Sequence, residues 1–592
     1  MSSKTLDLDH IFNRDDLAAQ ISNQYDGWSI SRNEWLSKVR ELRNFIFATD
    51  TRTTSNAKLP WKNSTTIPKL TQIRDNLHAN YMAALFPNED WLKWEGADSS
   101  AETKDKRDAI QAYMKNKLEQ SNFETTVSQL VLDYIDYGNC FCTTEYVNEN
   151  KKDSITGEEI VGYVGPKIKR ISPHDIVFDC TAVDFLSTPK IYRTVKTLGE
   201  LKKQVLDYPD DEEAVNLFKM AVDKAGNTRS SLTGVSRDDV AKQDRFQIDG
   251  FGNLYDYFMS GYVEILQFYG DIYDVKNDKF YEDHIITVID RSHVAKMEPA
   301  PTWSRKSAIK HAGWRNRQDN LYAMGPLDNL VGMQYRIDHL ENLKADVFDF
   351  IAFPMTKIKG VVEEFEVKPG GRVYVGDEGD VTYLVPDATA LNADFQIREL
   401  ENKMEELAGA PRQAMGIRTP GEKTKYEVQT LENATGRIFQ NKISFFERNF
   451  LEEALNDMLE LSRRNISGSD LVRTLDDDIK VVNFLSITKE DITANGRLRA
   501  KGASHFAKEA MLVQNLTNLA NSAIGQDPAV KAHMSGKKLA KLFEEVFDLE
   551  KYELYGENIR IVEEQETARM VQQAQENLQL EAQTPSGLPG DE

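Results

Sequence analysis

Apolar residues three and four positions apart mark a run of helices through the second half of the chain. The first carries Leu327, Leu330, Val331, Ile337, Leu340, Leu343 and Val347, and a second carries Leu391, Phe395, Ile397, Leu400, Met404 and Leu407. Between them lie GRVYVG and VTYLVP, whose period of two predicts small strands. Gly409-Ala410-Pro411 ends the second helix, and a polar loop follows through Arg412, Gly416, Arg418, Pro420 and Gly421. A third helix starts at Thr424, where Thr424 and Glu427 have capping-box spacing. Val428, Leu431, Ile438, Ile443, Phe446, Phe450, Leu455, Met458 and Leu459 continue its stripe to Arg463-Arg464. That is about 40 residues, or roughly 60 Å at ~1.5 Å per residue. Gly436, its one glycine, predicts a kink near Thr435-Gly436.

The same periodicity predicts a helix or helix pair over 15–48, with Leu17, Ile21, Tyr25, Trp35, Val39, Leu42 and Ile46 on its apolar face. A polar loop, Thr51 to Asn63, leads to a helix with Leu70, Ile73, Leu77, Tyr81 and Leu85, which Pro87 ends. Residues 105–137 are predicted helical again, with Ala109, Tyr113, Leu118, Val127, Leu130, Val131 and Ile135. From Cys140 the pattern turns to strands, in CFCTTEYV and VGYVGPKIKRISPHDIVFD. An acidic helical piece, Thr197 to Lys224, and a polar loop, Gly226 to Gly252, come next. Strands return at Tyr262–Tyr269 and Ile285–Ile289, with a hairpin between them. After the long helix, Ile479–Leu485 is strand-like, and 488–523 is predicted helical with Leu498, Phe506, Met511, Leu512, Leu516 and Leu519 as its stripe. A Gln/Glu-rich helix and a Pro/Gly tail, expected to be disordered, close the sequence.

At 592 residues the chain exceeds one ordinary core, so several subdomains are expected. An apolar content of 40% with 28% charged residues is that of a folded, soluble protein. The net charge of −22 argues against a tight nucleic-acid binder, and acidity of this size is equally common in cytoplasmic proteins. Three cysteines cannot build a disulfide framework, which points to a reducing compartment. The first residues, MSSKTLDLDHIFNRDD, place charges where a signal peptide needs an apolar core. No run of 18 apolar residues is present, so no membrane insertion is expected.

Candidate chemistry is sparse. Gly416 to Thr424 approaches the phosphate-cradling GxxxxGK[ST] pattern, but Glu422 intervenes and puts a carboxylate where phosphate charge would sit. The preceding APRQAM is no buried strand, so a capped loop is the better reading. Cys140-x-Cys142 places both sulfurs on one face of a strand, with Cys180 and His174 as conceivable zinc partners, yet the spacing favours buried apolar cysteines. Asp476-Asp477-Asp478 lacks the surroundings of a calcium loop. No catalytic motif stands out, so neither an enzyme nor a cofactor or metal site is expected.

The run RNRQDNLYAMGPLDNLVGMQYRIDHLENLKAD, Arg315 to Asp346, with the helix, loop and long helix that follow, resembles the portal proteins (head-to-tail connectors) of tailed bacteriophages. It is most similar to those of short-tailed phages. The resemblance follows the order of elements through most of the chain and is specific in wording only over 311–465. It implies an α+β fold, mainly helical, with portal-like wing, stem, clip and crown. The wing would span 1–325, helical first and then strand-rich. Stem helices would occupy 326–352 and 389–409, around a clip at 353–388. A tunnel loop at 410–423 would face the channel with Arg412, Gln413, Arg418, Thr419 and Lys423. The long kinked wing helix and a return strand would fill 424–487, a crown-like helical region 488–560 and the tail 561–592.

The resemblance further implies a dodecameric ring at one capsid vertex of the virion, assembled in the host cytoplasm. Double-stranded DNA would pass through it during packaging and ejection. Terminase, major capsid protein, scaffolding protein and tail or adaptor proteins would be its partners. The residues themselves add that Arg336, Asp338, Glu341, Lys344 and Asp346 give the first stem helix a charged face, which a heterologous ring contact would satisfy. Two rivals are a nucleotide-hydrolysing packaging motor built on 416–424 and a coiled-coil scaffold without a channel.

Overall fold

The computed structural model describes residues 5–8, 14–47, 65–87, 91–97, 104–149, 151–152, 159–160, 162–206, 216, 218–220, 222–223, 262–289, 291–300, 308–352, 355–360, 362, 373–384, 392–408, 437–466, 468–476 and 481–500. Among these residues the fold is a mixed α+β one in which helices hold the larger share. The chain divides into two units, one of Met1–Asp470 with Ile487–Ala503 and one of Leu471–Ser486 with Ser504–Glu592.

In the first unit, strand β1 (Thr5–Leu8) precedes a single helix, Arg14–Phe47. Helix Lys69–Leu85, β2 (Leu92–Gly96) and helices Lys104–Gln120 and Phe123–Asp136 follow. Strands β3 (Asn139–Asn148), β4 (Lys151–Lys152), β5 (Glu159–Ile160), β6 (Val164–Ile171), β7 (Ile176–Phe178) and β8 (Lys190–Thr197) come next, then helix Leu198–Leu206. Strands β9 (Tyr262–Asp274), β10 (Lys279–Ile289), β11 (His293–Pro299) and β12 (Ile309–Gly313) lead to helix Val331–Ala352. Hairpin strands β13 (Met355–Lys359) and β14 (Asp380–Leu384) separate it from helix Asp394–Ala408. Helix Arg437–Phe446 passes through a π-helical stretch, Glu447–Leu451, into helix Glu452–Asn465. The paired strands β15 (Ser469–Asp476) and β16 (Val481–Thr488) follow, and their residues 471–476 and 481–486 are what the structure describes of the second unit. The first unit resumes with helix Lys489–Ile492 and β17 (Gly496–Ala500).

The core lies between helix Arg14–Phe47 and a six-stranded sheet ordered β11-β10-β9-β8-β7. Strand β1 joins β9 in parallel, Thr5 opposite Asp271, just beyond the stretch that β8 pairs. Leu17, Ile21 and Tyr25 stand four apart on the helix and pack with Leu6 and Leu8 on Val177, Ile191, Leu266, Phe268 and Ile286. Each such side chain contributes about 1.5–3 kcal/mol on burial. A second sheet, β12-β3-β6, packs its Phe141, Ile171 and Ile309 against Phe178, Phe185, Tyr192 and Tyr322.

The turn from helix Phe123–Asp136 into β3 needs glycine. Gly138 has φ +67°, and a Cβ there would stand 2.3 Å from the backbone nitrogen of Gly325.

Several expectations change in the structure. Residues 105–137 form two helices, broken where Asn122 takes a left-handed φ of 53°. Strand β15 is additional to the expected Ile479–Leu485 strand, which is described from Val481. Among the described residues the GRVYVG stretch contributes a bridge, Val362 opposite Val375, while VTYL supplies β14. Residues 496–500, expected helical, are a strand. There Leu498 pairs with Trp94, and the Asn456 side chain bonds both backbone groups of Leu498, at 2.9 and 3.0 Å. The ladder with β2 and the Asn456 side chain together outweigh a helical stripe that local spacing suggests. The long helix is described only from Arg437, so its Thr424 cap and the Gly436 kink lie outside the described residues. The irregularity that is described falls eleven residues later, as the π-helical stretch at Glu447.

Candidate functional site

The strongest surface signal belongs to helices Val331–Ala352 and Asp394–Ala408 and the hairpin between them. Ile337 and Leu340 of the first helix and Ile397, Met404 and Ala408 of the second are buried. Lys344 Nζ reaches Asp394 Oδ1 at 2.6 Å across the pair. Phe45 meets Tyr335 edge-on at 4.6 Å, and the Tyr335 hydroxyl donates to Glu41 at 2.6 Å, so helix Arg14–Phe47 braces the same element.

Past the helices the burial pattern inverts. Strands β13 and β14 pair through five residues each, Met355 opposite Leu384 to Lys359 opposite Asp380, yet side chains on both faces are open to solvent. Met355 is 61% exposed, Ile358 55%, Tyr383 44% and Leu384 49%. Ten of the nineteen large apolar side chains exposed among the described residues lie between Leu343 and Leu407. A lone two-stranded sheet is marginal in water, because neither face removes apolar area from solvent. A patch of this kind marks an interaction surface.

The charged face expected on helix Val331–Ala352 is corrected by the structure. Arg336 is exposed and Glu341 and Lys344 are half-buried, but Asp338 is 0% exposed and Asp346 6%. Gln334, Asp338 and Asn342, four residues apart, form a polar stripe on the buried side. They bond the backbone of Thr65–Ile67, where Asn342 Nδ2 and Oδ1 take the carbonyl and N–H of Thr65 at 3.1 and 2.7 Å. A period of four among polar residues inside an apolar helix was the available signal for this contact. Lys69, which enters it through a bond to Glu405, gave none.

The tunnel-loop residues Arg412, Gln413, Arg418, Thr419 and Lys423, and the P-loop-like stretch 416–424, lie outside the described residues. Cys140 and Cys142 are buried at the β12-β3-β6 sheet, and the Cys140 thiol faces the Ala312 carbonyl at 3.7 Å. Burial pushes both thiols up, well away from the thiolate form that a metal would need. His174 Nε2 lies 3.3 Å from the Tyr137 hydroxyl, and Cys180 is half-buried. Among the described residues no three His, Cys, Asp or Glu side chains converge as metal ligands. Asp476 ends β15, while Asp477 and Asp478 lie outside the described residues.

A cavity of about 240 Å³ opens between the two larger sheets. Two of its three lysines are paired with carboxylates, Lys169 with Glu145 at 3.6 Å and Lys296 with Glu298 at 2.6 Å. No described helix is long and apolar enough to cross a membrane.

Residues 18–159, about a quarter of the chain, match the family described as bacteriophage head to tail connecting protein. The matched stretch runs from helix Arg14–Phe47 to the start of β5, so it is separate from the 311–465 region whose wording carries the resemblance. It supports a phage portal or connector protein and is silent on similarity to short-tailed phages in particular. No curated protein matches the chain.

Proposed function

We propose that this chain is a subunit of a portal, a ring-shaped channel at one capsid vertex through which the genome is packaged and ejected. The observation that carries the reading is the β13–β14 hairpin, apolar yet exposed on both faces at the end of a helix pair. Such a hairpin is stable only when other chains cover it, and a heterologous contact repeated around an axis covers every copy alike. The family match over 18–159 supports the same assignment from a different part of the chain.

In this reading residues 326–352 and 389–409 are stem helices, 353–388 the clip and 410–423 the tunnel loop. The wing, the long helix and the crown-like region follow the boundaries given above. Twelve subunits, by the resemblance, close the ring. Its partners are the capsid and scaffolding proteins, terminase during packaging, and later tail proteins at the clip. The role is structural rather than catalytic. Arg412, Arg418 and Lys423 would touch DNA phosphates without reading sequence, as sliding requires.

Negative-stain images of purified protein test the assignment. Rings with a central hole are expected, and particles without a hole would favour the scaffold instead. Phosphate release from ATP by the pure protein would revive the motor reading.

A further inference from the structure

The inner face of helix Val331–Ala352 copies the edge of a β-strand. Asn342 bonds the N–H and carbonyl of Thr65, as a neighbouring strand would. One turn earlier, Asp338 Oδ1 accepts from the Ile67 N–H at 3.1 Å, and Gln334 Nε2 donates to the Ile67 carbonyl at 2.6 Å. Gln334 Nε2 also donates to Asp338 Oδ1 at 2.8 Å, locking the two side chains together. The segment ends in a tight turn at Pro68 (φ −78°, ψ 56°), where the Lys69 N–H bonds the Ile67 carbonyl at 2.7 Å. Lys69 then reaches Glu405 on helix Asp394–Ala408 at 2.7 Å. Residues 65–69 therefore bind both helices that carry the exposed hairpin.

Two buried acceptors of the stripe have no hydrogen-bond partner, Gln334 Oε1 and Asp338 Oδ2, and only the carboxyl can take up a proton. Asp338 is 0% exposed. A carboxylate buried in this way is costly, whereas the protonated acid keeps Oδ1 as the acceptor that Ile67 needs. The neighbouring charges do not answer it. Lys69 is committed to Glu405, Glu41 of helix Arg14–Phe47 accepts from Tyr335, and Lys344 lies by Asp394 and Glu341. On its own helix Arg336 is exposed and His339 is half-buried.

We propose that Gln334, Asp338 and Asn342 form a proton-controlled clasp, closed on Thr65–Ile67 when Asp338 is protonated and loosened when it ionises. Burial raises the Asp338 carboxyl to about 6, against opposing hydrogen bonds from the Ile67 N–H and the Gln334 amide. Its folded value is therefore above the ordinary 3.8. The stabilisation is complete below the ordinary value and is lost as pH rises through 6. Between pH 5 and pH 7.5 this linkage weakens closure about tenfold. Loosening would slacken the tie between the chain entering helix Lys69–Leu85 and the helix pair.

Hydrogen exchange of the full chain, read by mass spectrometry in peptides spanning 65–72, tests the clasp. After correction for the intrinsic pH dependence of exchange, protection there should fall about tenfold from pH 5 to pH 7.5. A reference peptide from the β9–β10 hairpin should not follow it. Asp338→Asn keeps an acceptor for Ile67 and cannot ionise, so its protection should be flat across the range. Flat protection in the parent chain, or an undiminished pH dependence in Asp338→Asn, would overturn the proposal.

Discussion

Lys69 and Glu405 form a buried ion pair, Nζ to Oε1 at 2.7 Å, with side chains only 5% and 6% exposed. It joins the first turn of helix Lys69–Leu85 to the second helix of the pair, 336 residues away in sequence. Removing one partner strands a charge. Glu405→Ala should therefore cost about 3–5 kcal/mol, seen as a lower urea midpoint. The apolar double variant Lys69→Met/Glu405→Leu should recover most of the loss. A midpoint unchanged in the single variant would show that the pair adds nothing.

A half-buried carboxyl sets a second pH dependence. Asp328 Oδ2 accepts the Gly325 N–H at 2.9 Å, beside the glycine contact that shapes the turn into β3. Burial raises Asp328 to about 6, against the Gly325 bond and the charges of Arg317 and Arg315. Because the folded value lies above the ordinary one, this stability is complete below pH ~4 and is lost as pH rises through 6. The loss amounts to up to about 3 kcal/mol. Asp328→Asn, which preserves the acceptor, should flatten that part of the profile between pH 4 and pH 7. Denaturation midpoints across the range would reveal it, and parallel profiles for parent and variant would exclude the effect.

The helices were the legible part of this sequence. Leu70, Ile73, Leu77, Tyr81 and Leu85 announced one helix to within a residue, because each faces the core and nothing else competes for it. Leu498 misled, since its strand is fixed by Trp94 and Asn456, which lie 404 and 42 residues away in the chain. Asp338 misled for a related reason. A carboxylate in a helical pattern reads as solvent-facing, and only the arrival of Thr65–Ile67 makes an inward position tolerable. The break at Asn122 carried a weak signal, asparagine being one of the few residues that accept a left-handed φ. Of the candidate site, the apolar character of the hairpin was legible in VTYL, whereas its exposure on both faces was not.

The hairpin should matter to assembly more than to the folded subunit. Ile358 and Tyr383 are 55% and 44% exposed, so the double variant Ile358→Asp/Tyr383→Glu removes little buried area within the chain. Its circular dichroism should match the parent, with subunit stability changed by less than about 1 kcal/mol. Sedimentation should show the oligomer reduced at least tenfold. An unchanged oligomer would place the interface elsewhere.

The tunnel-loop proposal yields a separate outcome. Arg412→Ala/Arg418→Ala should leave assembly and solubility intact while impairing genome packaging or retention. A double variant that packages and keeps a full genome like the parent would leave the loop only a capping role.

Native mass spectrometry of the full chain at micromolar concentration tests the central claim most directly. A portal subunit should give one dominant species at a fixed multiple of 67.4 kDa, twelvefold if the resemblance holds in this respect. Monomers alone, or an open ladder of sizes without a preferred multiple, would contradict it.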